Sequence, residues 1–322
     1  MECKICRNKN ENKVFKIREM MFGTQETFDY IECHNCGCLQ IYHIPKNIGK
    51  YYKNEIYLSF KKNNFNFIKQ FLKKKRNEFI IKNGLIGKII NHTYPNPDIE
   101  LLSLLNMNKD LKILDVGCGA GELLYSLSEL NFKNLVGIEP FMNKEEIADK
   151  NLRILKKTLH DLNNNSKFNL IIFRHSFEHM FDQLEILLKT SKLLSENGKC
   201  LIKMPLKGEY IWNRYGTNWV QIDAPRHFLI HTIESFNLLI EKTDLKIQKV
   251  IFDSTEFQFW GSEQYKQDIA LESEYSYAIN PKKSIFTDEQ IAEFKKKANE
   301  LNGKKIGDQA TFILCLNNNF KS

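Results

Sequence analysis

Long apolar runs are missing from this 322-residue sequence. No stretch approaches the ~20 apolar residues that a membrane-spanning helix needs, and the opening MECKICRNKN has no apolar signal-peptide core. Apolar residues still make up 42% of the chain and charged residues 27%, which is typical of a globular protein with an ample core. We therefore expect a cytoplasmic protein without a membrane span, built from two domains or from one large domain with an appendage.

Acidic residues are scarce in the first third of the chain. Residues 1–95 contain 18 Lys and Arg against 8 Asp and Glu, whereas the remainder contains 29 against 31. A basic front third favours anionic partners such as nucleic acid, nucleotide-linked sugars or phosphorylated glycans. A Lys-rich and Asn-rich composition explains the excess equally well, and the run KKKR at 73–76 is also typical of a solvated helix face.

Cysteine is rare outside the first 38 residues, which hold five of the eight. Two knuckles, Cys3-x-x-Cys6 and Cys33-x-x-Cys36, can close a tetrahedron of thiolates around Zn²⁺. Disulfides are the competing interpretation, but a cytosolic chain keeps its thiols reduced. We predict a structural zinc bound by these four residues, with Cys38 either a bystander or a replacement for Cys36. Because all four positions are filled by protein, this zinc is not expected to be catalytic.

The Gly-x-Gly-x-x-Gly spacing of dinucleotide-binding turns is also absent. In LKILDVGCGAGELLYSL, an apolar strand at 111–116 is followed by the glycine turn GCGAG at 117–121, and a helix opens at Glu122. A turn of this kind lets the backbone approach a nucleotide-like ligand at the carboxyl end of a parallel strand. Because Asp115 would repel a phosphate, we expect it to attract a sulfonium and its amino group instead.

A second strand, in NLVGIEP, ends at Glu139, whose carboxylate can accept hydrogen bonds from both hydroxyls of a ribose. Strand, glycine turn, helix, strand and acid together resemble the class I S-adenosylmethionine (SAM)-dependent methyltransferases. By that resemblance Asp161 of LHDL lies near the adenine amine. The resemblance implies a set of SAM-binding residues: Asp115, Gly117, Cys118, Gly119, Glu139, Pro140, Asp161, Leu162, Arg174 and His175.

Strands and helices continue to alternate along the chain, which predicts an α/β fold with a Rossmann-like seven-stranded sheet. The apolar segment QATFILCLN near the end of the chain suits the last strand, paired antiparallel at the edge. The predicted organisation is a zinc-ribbon-like module at 1–45, a helical cap at 46–105, a SAM-binding domain at 106–254 and 309–322, and a helical insertion at 255–308 that covers the acceptor.

The stretch RHSFEHMFD contains His175-x-x-Glu178-His179, a spacing also used by zinc proteases. A protease needs a continuous helix to place both histidines on one face, but here a strand runs to about Phe173. We therefore predict a loop at the end of that strand, which resembles the corresponding loop of small-molecule methyltransferases. This resemblance implies that His175 faces substrate or SAM, while Glu178 and His179 serve the structure.

Aromatic and basic residues are dense in GEYIWNRYGTNWVQIDAPRHFLIH, which resembles the acceptor-side loop of related methyltransferases. In this loop His227 is a candidate base or a loop anchor, and either His175 or His227 would accept the proton of a hydroxyl acceptor. The residues expected to bind the acceptor come from this loop and from the insertion: Trp219 as a wall, Arg226 as a clamp for phosphate or carboxylate, and Glu263, Gln264 and Tyr265 as hydrogen-bonding groups.

Zinc knuckles ahead of such a domain resemble methyltransferases of sugar and surface-polysaccharide pathways, including deoxysugar C-methyltransferases, although the latter carry a further C-terminal domain. We expect methyl transfer to a small polar acceptor, a hydroxyl of a sugar, nucleotide-sugar or glycan precursor. The alternative is an RNA methyltransferase whose basic zinc module grips phosphates. Against RNA, RHSF stands where amine-methylating enzymes carry an NPPY-type loop. A third possibility is a non-catalytic module that binds SAM.

Overall fold

The structure is a computed structural model that describes residues 1–52, 67–82, 85, 89, 92, 94–105, 107–142, 145–149 and 151–317. It divides into two compact units. The first comprises Met1–Tyr51, His175–Ser191 and Leu201–Ser322, and the second comprises Tyr52–Arg174 and Lys192–Cys200. None of the helices in these described ranges is both long enough and apolar enough to cross a membrane.

The strands, in chain order, are β1 Lys13–Arg18, β2 Thr27–Glu32, β3 Leu39–Ile41, β4 Lys112–Val116, β5 Asn134–Ile138, β6 Glu146–Asp149, β7 Leu152–Leu155, β8 Phe168–Arg174, β9 Leu194–Pro205, β10 Leu229–Ile230, β11 Leu245–Phe252 and β12 Gln309–Leu316. The helices are α1 Phe67–Ile81, α2 Pro97–Ser103, α3 Glu122–Glu129, α4 Gln183–Leu193, α5 Glu209–Tyr215, α6 Ile233–Ile240, α7 Phe257–Lys266 and α8 Asp288–Gly303.

The second unit is built on a mixed sheet in the order β9-β8-β4-β5-β7-β6, and residues 194–200 of β9 belong to this unit. Strand β4 pairs in parallel with β5 and with β8, and β5 pairs in parallel with β7. The apolar runs predict these strands because a parallel strand is buried on both faces. In β4, for example, Ile113 and Leu114 are fully buried. Parallel pairing brings the carboxyl ends of β4, β5 and β8 to one edge.

The first unit contains the remaining pairings of β9, in the order β11-β12-β9, and a separate sheet in the order β1-β2-β3-β10. Strand β12 is antiparallel to β11, as predicted, but it lies between β11 and β9 instead of at the edge. The first six residues of β12 are buried, which fits a central strand. The predicted edge position is therefore wrong, because local sequence pattern does not encode strand order.

The predicted count of seven strands also differs from the structure. Among the described residues, the orders β9-β8-β4-β5-β7-β6 and β11-β12-β9 share β9 and together contain eight strands. The additional strand is β6, a four-residue strand paired antiparallel with β7. Its segment EIAD lacks an apolar run and has an exposed Ile147, so it carries no sequence signal for a strand.

Helix boundaries follow their capping residues. Thr287 and Gln290 form a reciprocal capping box at the start of α8, inside the insertion predicted to be helical. Helix α2 begins after Asn96, whose side chain accepts a hydrogen bond from the Ile99 N–H. The described residues of the 46–105 segment, which is predicted to be a helical cap, include α1 and α2.

Candidate active site

The glycine turn at 117–121 follows β4 directly and is bonded to the end of β5. The backbone N–H of Gly117 donates to the carbonyl oxygen of Ile138 at 2.8 Å, and that of Cys118 donates to the same oxygen at 3.2 Å. The φ angles of Gly117 and Gly119 are 71° and 54°, a region in which any other residue is strained. The turn therefore exposes backbone, and not side chains, to a ligand at this edge.

Two carboxylates lie at the ends of the neighbouring strands β4 and β5. Asp115 is 1% exposed, burial raises its pKa to about 6, and its Oδ2 has no hydrogen-bond partner among the described residues. Glu139 accepts hydrogen bonds from the Gly119 N–H at 3.2 Å and the Phe141 N–H at 3.1 Å. A buried carboxylate oxygen without a partner is unfavourable, so Asp115 is suited to receive a cationic or hydrogen-bonding ligand.

The other residues predicted to bind the cofactor are placed around the same sheet or at its surface. Arg174 ends β8 and its Nη1 donates to Asp98 Oδ2 at 2.6 Å, while Pro140 follows Glu139 directly. Asp161 is exposed, and its Oδ2 accepts hydrogen bonds from the N–H and hydroxyl of Thr158, both at 2.8 Å. These bonds lower the pKa of Asp161. Asp161 thus caps its own turn in this structure.

In the first unit, His175, Glu178 and His179 lie in the short segment that follows β8 in the chain. The Phe177–His179 segment is a single 3₁₀ turn, and His175 precedes it with a φ of 50°. The His175 Nδ1 lies 3.6 Å from Glu178 Oε1, and the His175 side chain is 43% exposed whereas that of Glu178 is 1% exposed. The predicted loop is confirmed, and no α-helix carries both histidines.

His227 comes from the loop before β10 and lies beside Glu178. Its Nε2 is 3.9 Å from Glu178 Oε1 and 3.7 Å from Asp223 Oδ2. Its Nδ1 lies 2.8 Å from the carbonyl oxygen of Gln221. The His227 residue is 8% exposed, so of the two candidate bases it is the less accessible.

Four of the five residues predicted to bind the acceptor are buried and bonded or packed within the protein. Trp219 donates to Asp308, and Gln264 donates to the Ser276 hydroxyl. Arg226 is fully buried, and its guanidinium contacts Asp223, Glu19 and the Tyr51 carbonyl oxygen. Tyr265 is 4% exposed, whereas the Glu263 side chain is 22% exposed. Acceptor binding by these residues stays a prediction, and Glu263 is the most accessible of them.

Comparison with known proteins identifies the family. A family model described as a methyltransferase domain matches residues 88–250, which is half of the chain. This chain belongs to the methyltransferase-domain family. The match includes β4, the glycine turn, Glu139 and the turn that carries His175, so the predicted resemblance to class I SAM-dependent methyltransferases is confirmed at the level of the family.

Curated relatives of this methyltransferase domain are named ubiquinone biosynthesis O-methyltransferase. The protein of Rickettsia bellii (strain OSU 85-389) is 30% identical over 131 residues, which cover 38% of this chain and 54% of that protein. The protein of Pelagibacter ubique (strain HTCC1062) is 31% identical over 168 residues, covering 46% and 69%. The match thus spans about half the length of the Rickettsia protein.

Solved structures with similarity to the methyltransferase domain include two at low sequence identity. A SAM-dependent methyltransferase from Archaeoglobus fulgidus is 16% identical with a TM-score of 0.42, covering 78% of this chain and 100% of that chain. A cyclopropane synthase from Mycobacterium tuberculosis is 17% identical with a TM-score of 0.41, covering 64% and 78%.

Ahead of the methyltransferase domain, the cysteines of the two knuckles lie together. Among the described residues, Cys3, Cys6, Cys33 and Cys36 each offer a sulfur within 4.8 Å of the others. Cys38 Sγ lies 3.5 Å from Cys3 and 3.6 Å from Cys36, so a fifth thiol is adjacent. The backbone N–H of Ile5 donates to the Cys3 sulfur at 3.4 Å, an interaction that favours a thiolate.

Sequence reasoning missed several residues that shape these sites. Gly137 in β5 packs closely against the glycine turn. A Cβ at Gly137 would lie only 2.6 Å from the Cys118 sulfur. Phe141 stacks on Tyr52 with ring centroids 5.1 Å apart. Asp98 pairs with Arg174, and its position in the first turn of α2, after the capping Asn96, was the available signal. No local pattern marks Gly137 or the aromatic pair.

Proposed function

We propose that the protein is a SAM-dependent methyltransferase that transfers a methyl group to a hydroxyl of a small polar acceptor. The observation that carries this proposal is the pair of buried carboxylates beside the glycine turn. Asp115 presents an oxygen that has no hydrogen-bond partner in the described part of the chain, and Glu139 is held by the Gly119 N–H. When bound, SAM supplies a methyl group on a sulfonium, which is already a good leaving group.

Asp115 and Glu139 have separate roles in this proposal. Asp115 accepts hydrogen bonds from the cationic methionine end of SAM, which satisfies its buried oxygen. Glu139 accepts hydrogen bonds from the ribose hydroxyls, and its two bonds from the Gly119 and Phe141 N–H groups hold the carboxylate in place. Gly117 and Gly119 keep side chains away from the ligand.

His175 is the proposed general base, with His227 as the second candidate. His175 follows Arg174 directly, at the end of β8, and its side chain is accessible. The buried Glu178 carboxylate, 3.6 Å from His175 Nδ1, would stabilise the imidazolium formed when His175 accepts the hydroxyl proton. Alignment of the hydroxyl with the methyl group supplies the rest of the rate enhancement.

For the acceptor, we infer a sugar, a nucleotide-sugar or a glycan precursor. The printed names of the relatives support transfer to oxygen. The accessible Glu263, beside Arg214 and Tyr215, supports an acceptor rich in hydroxyl groups. The second candidate is RNA, which the excess of 18 basic over 8 acidic residues in 1–95 favours.

The four clustered cysteines fit a structural zinc ion. Thiolate ligands at tetrahedral spacing lie ~3.8 Å apart when each Zn–S bond is ~2.3 Å. The Cys3–Cys36 and Cys6–Cys33 sulfur distances are 3.6 and 3.5 Å, close to that spacing. We propose Cys3, Cys6, Cys33 and Cys36 as the ligands, and Cys38 as the neighbouring thiol.

Replacing Glu139 tests the SAM site. In Glu139→Ala the two ribose hydroxyls lose their acceptor, and losing such charge-assisted bonds costs ~1.5–3 kcal/mol of binding free energy. Calorimetric titration with SAM should show that loss, whereas Glu129→Ala at the end of α3 should bind as the wild type does. Unchanged SAM affinity in Glu139→Ala would refute the assignment.

Methyl incorporation tests the acceptor. Labelled SAM is incubated with the full chain and, separately, with total RNA and with a pool of nucleotide-sugars and cell-extract small molecules. We expect label in the small-molecule pool and none in RNA, with Glu139→Ala as the inactive control. Label in RNA that disappears at higher salt, as phosphate-driven binding predicts, would replace the sugar proposal by the RNA candidate.

A further inference from the structure

Glu178 is a buried carboxylate whose surroundings leave it unsatisfied. The residue is 1% exposed, and neither Oε1 nor Oε2 has a hydrogen-bond partner among the described residues. Two groups that can carry positive charge, His175 Nδ1 and His227 Nε2, lie 3.6 and 3.9 Å from Glu178 Oε1, beyond hydrogen-bond distance. An ionised carboxylate out of water is strongly unfavourable unless a cation or several donors approach it. Within the described part of the chain, both oxygens therefore have room for a positive partner closer than these two imidazoles.

Two imidazoles near Glu178 are each bonded through Nδ1 to a backbone carbonyl oxygen. His227 Nδ1 lies 2.8 Å from the Gln221 carbonyl oxygen, and His179 Nδ1 lies 2.9 Å from the Arg226 carbonyl oxygen. A carbonyl only accepts, so each Nδ1 must donate a proton, and in the neutral ring the lone pair is then on Nε2. Metal-binding histidines are oriented in this way, by a hydrogen bond from the other ring nitrogen to a backbone carbonyl.

The neighbouring Asp223 and Arg226 do not supply the missing charge. Arg226 Nε donates to Asp223 Oδ2 at 2.8 Å, and its Nη2 contacts the buried Glu19 at 3.3 Å. The Arg226 guanidinium therefore already pairs with two carboxylates. Asp223 itself has a φ of 43°, a strained conformation for a non-glycine residue, and its Oδ2 lies 3.7 Å from His227 Nε2. Additional positive charge at Glu178 would therefore be favourable.

We propose that Glu178, His179 and His227 bind a divalent transition-metal ion, an arrangement that leaves His175, and not His227, as the general base. One donor atom from each lies within 4.8 Å of the others, so side-chain shifts of ~1 Å bring all three to bonding distances of ~2.0–2.2 Å. Two imidazole nitrogens and one carboxylate oxygen suit zinc or ferrous iron, and three protein ligands leave coordination positions open.

This site differs from the zinc-protease helix that the His-x-x-Glu-His spacing brings to mind. The Phe177–His179 turn is 3₁₀, and the second histidine ligand comes from the other loop, at His227, instead of from His175. The ion would join the loop after β8 to the loop before β10. It is separate from the cysteine cluster, which has sulfur ligands only.

The difference in ligands allows a direct test on the full-length chain. Protein is produced with zinc or iron in the medium, and X-ray absorption is measured at the edge of each metal. We expect nitrogen or oxygen neighbours at ~2.0–2.1 Å, in addition to the sulfur neighbours at ~2.3 Å of a cysteine site. Wild-type protein with sulfur neighbours alone, or with no metal at either edge, would overturn the proposal.

A pair of variants then locates the ion. Glu178→Gln keeps the side-chain shape but removes the negative charge, whereas Glu185→Gln makes the same change at an exposed position in α4. We expect Glu178→Gln to lose the nitrogen and oxygen neighbours and at least ~10-fold in metal affinity, with the sulfur neighbours retained. Equal metal content and affinity in both variants would place the ion elsewhere. The wild-type absorption result stands even if Glu178→Gln folds poorly.

Discussion

Asp115 is a carboxylate that the fold prefers to keep protonated. Burial raises its pKa from 3.8 to about 6. Because the folded protein holds this proton more tightly than the unfolded chain does, stability from Asp115 is fully present below pH ~4 and is lost as the pH rises through ~6. At neutral pH the buried Asp115 carboxylate is therefore ionised and can pair with a cationic ligand.

Asp115→Asn should remove this pH dependence. The variant should gain stability relative to the wild type between pH 4 and pH 7, by on the order of 2–3 kcal/mol, since the asparagine does not ionise. Urea unfolding of the ligand-free protein at both pH values measures the difference. The same variant should bind SAM less tightly at pH 7. A stability difference that is equal at both pH values would contradict the role of burial.

His175→Gln should lower turnover by ~10²–10⁴ while SAM affinity stays within a few-fold, because glutamine keeps a hydrogen bond but takes no proton at neutral pH. Steady-state rates with saturating SAM and acceptor, together with calorimetric SAM binding, separate the two effects. His227→Gln is the comparison, and it should lower the melting temperature first, since His227 is buried and bonded to Gln221. If both variants keep more than about a tenth of the rate, transfer proceeds by alignment alone.

At the scale of elements, the cysteine knuckles are joined to a sheet that the sequence does not reveal. Strand β3 follows the second knuckle and pairs with β10, and the Thr232 hydroxyl at the start of α6 donates to the Cys36 carbonyl oxygen at 2.7 Å. The same Thr232 side chain caps α6. The knuckle backbone therefore contacts residues far along the chain, and its order is coupled to theirs.

Cys6→Ser should release the zinc proposed for the cysteine site and loosen this sheet. We expect faster amide hydrogen exchange in β1, β2, β3 and β10, because the knuckle turns lose the ion that holds them. SAM affinity should stay within a few-fold. Cys315→Ser, in β12, is the control for losing a thiol. Unchanged exchange in β3 and β10 of the Cys6 variant would show that the sheet is stable without metal.

At the scale of the whole molecule, the parts that could be predicted from sequence are those with a local signal. Apolar runs mark the buried parallel strands, and the glycine turn marks the cofactor edge. The β1-β2-β3-β10 sheet could not be predicted, because β10 is only two residues long and pairs with a distant strand. Strand order likewise depends on packing, so β12 could not be placed between β11 and β9.

The residues predicted to bind the acceptor also show which features the sequence can and cannot predict. Trp219 and Arg226, from the dense loop before β10, and Gln264, from the insertion, are polar or amphipathic residues that the sequence predicts to bind the acceptor. In the structure each is buried against a protein partner: Asp308, Asp223 and Ser276 respectively. Residue type alone does not tell whether a polar group pairs with a ligand or with a side chain from another segment. Glu178 is the opposite case, since only the structure shows that its carboxylate oxygens have no hydrogen-bond partner among the residues it describes.

The pairing of β3 with β10 has a consequence for synthesis of the chain. Leu39 pairs with Ile230, so roughly 190 residues separate the two partners. At typical elongation rates of ~5–20 residues per second, β1, β2 and β3 leave the ribosome ~10–40 s before β10 is synthesised. During this interval β3 has an open edge, which is exposed to wrong pairing. A metal ion captured early by the cysteines would hold the nascent segment in its final turn geometry until its partner strand emerges.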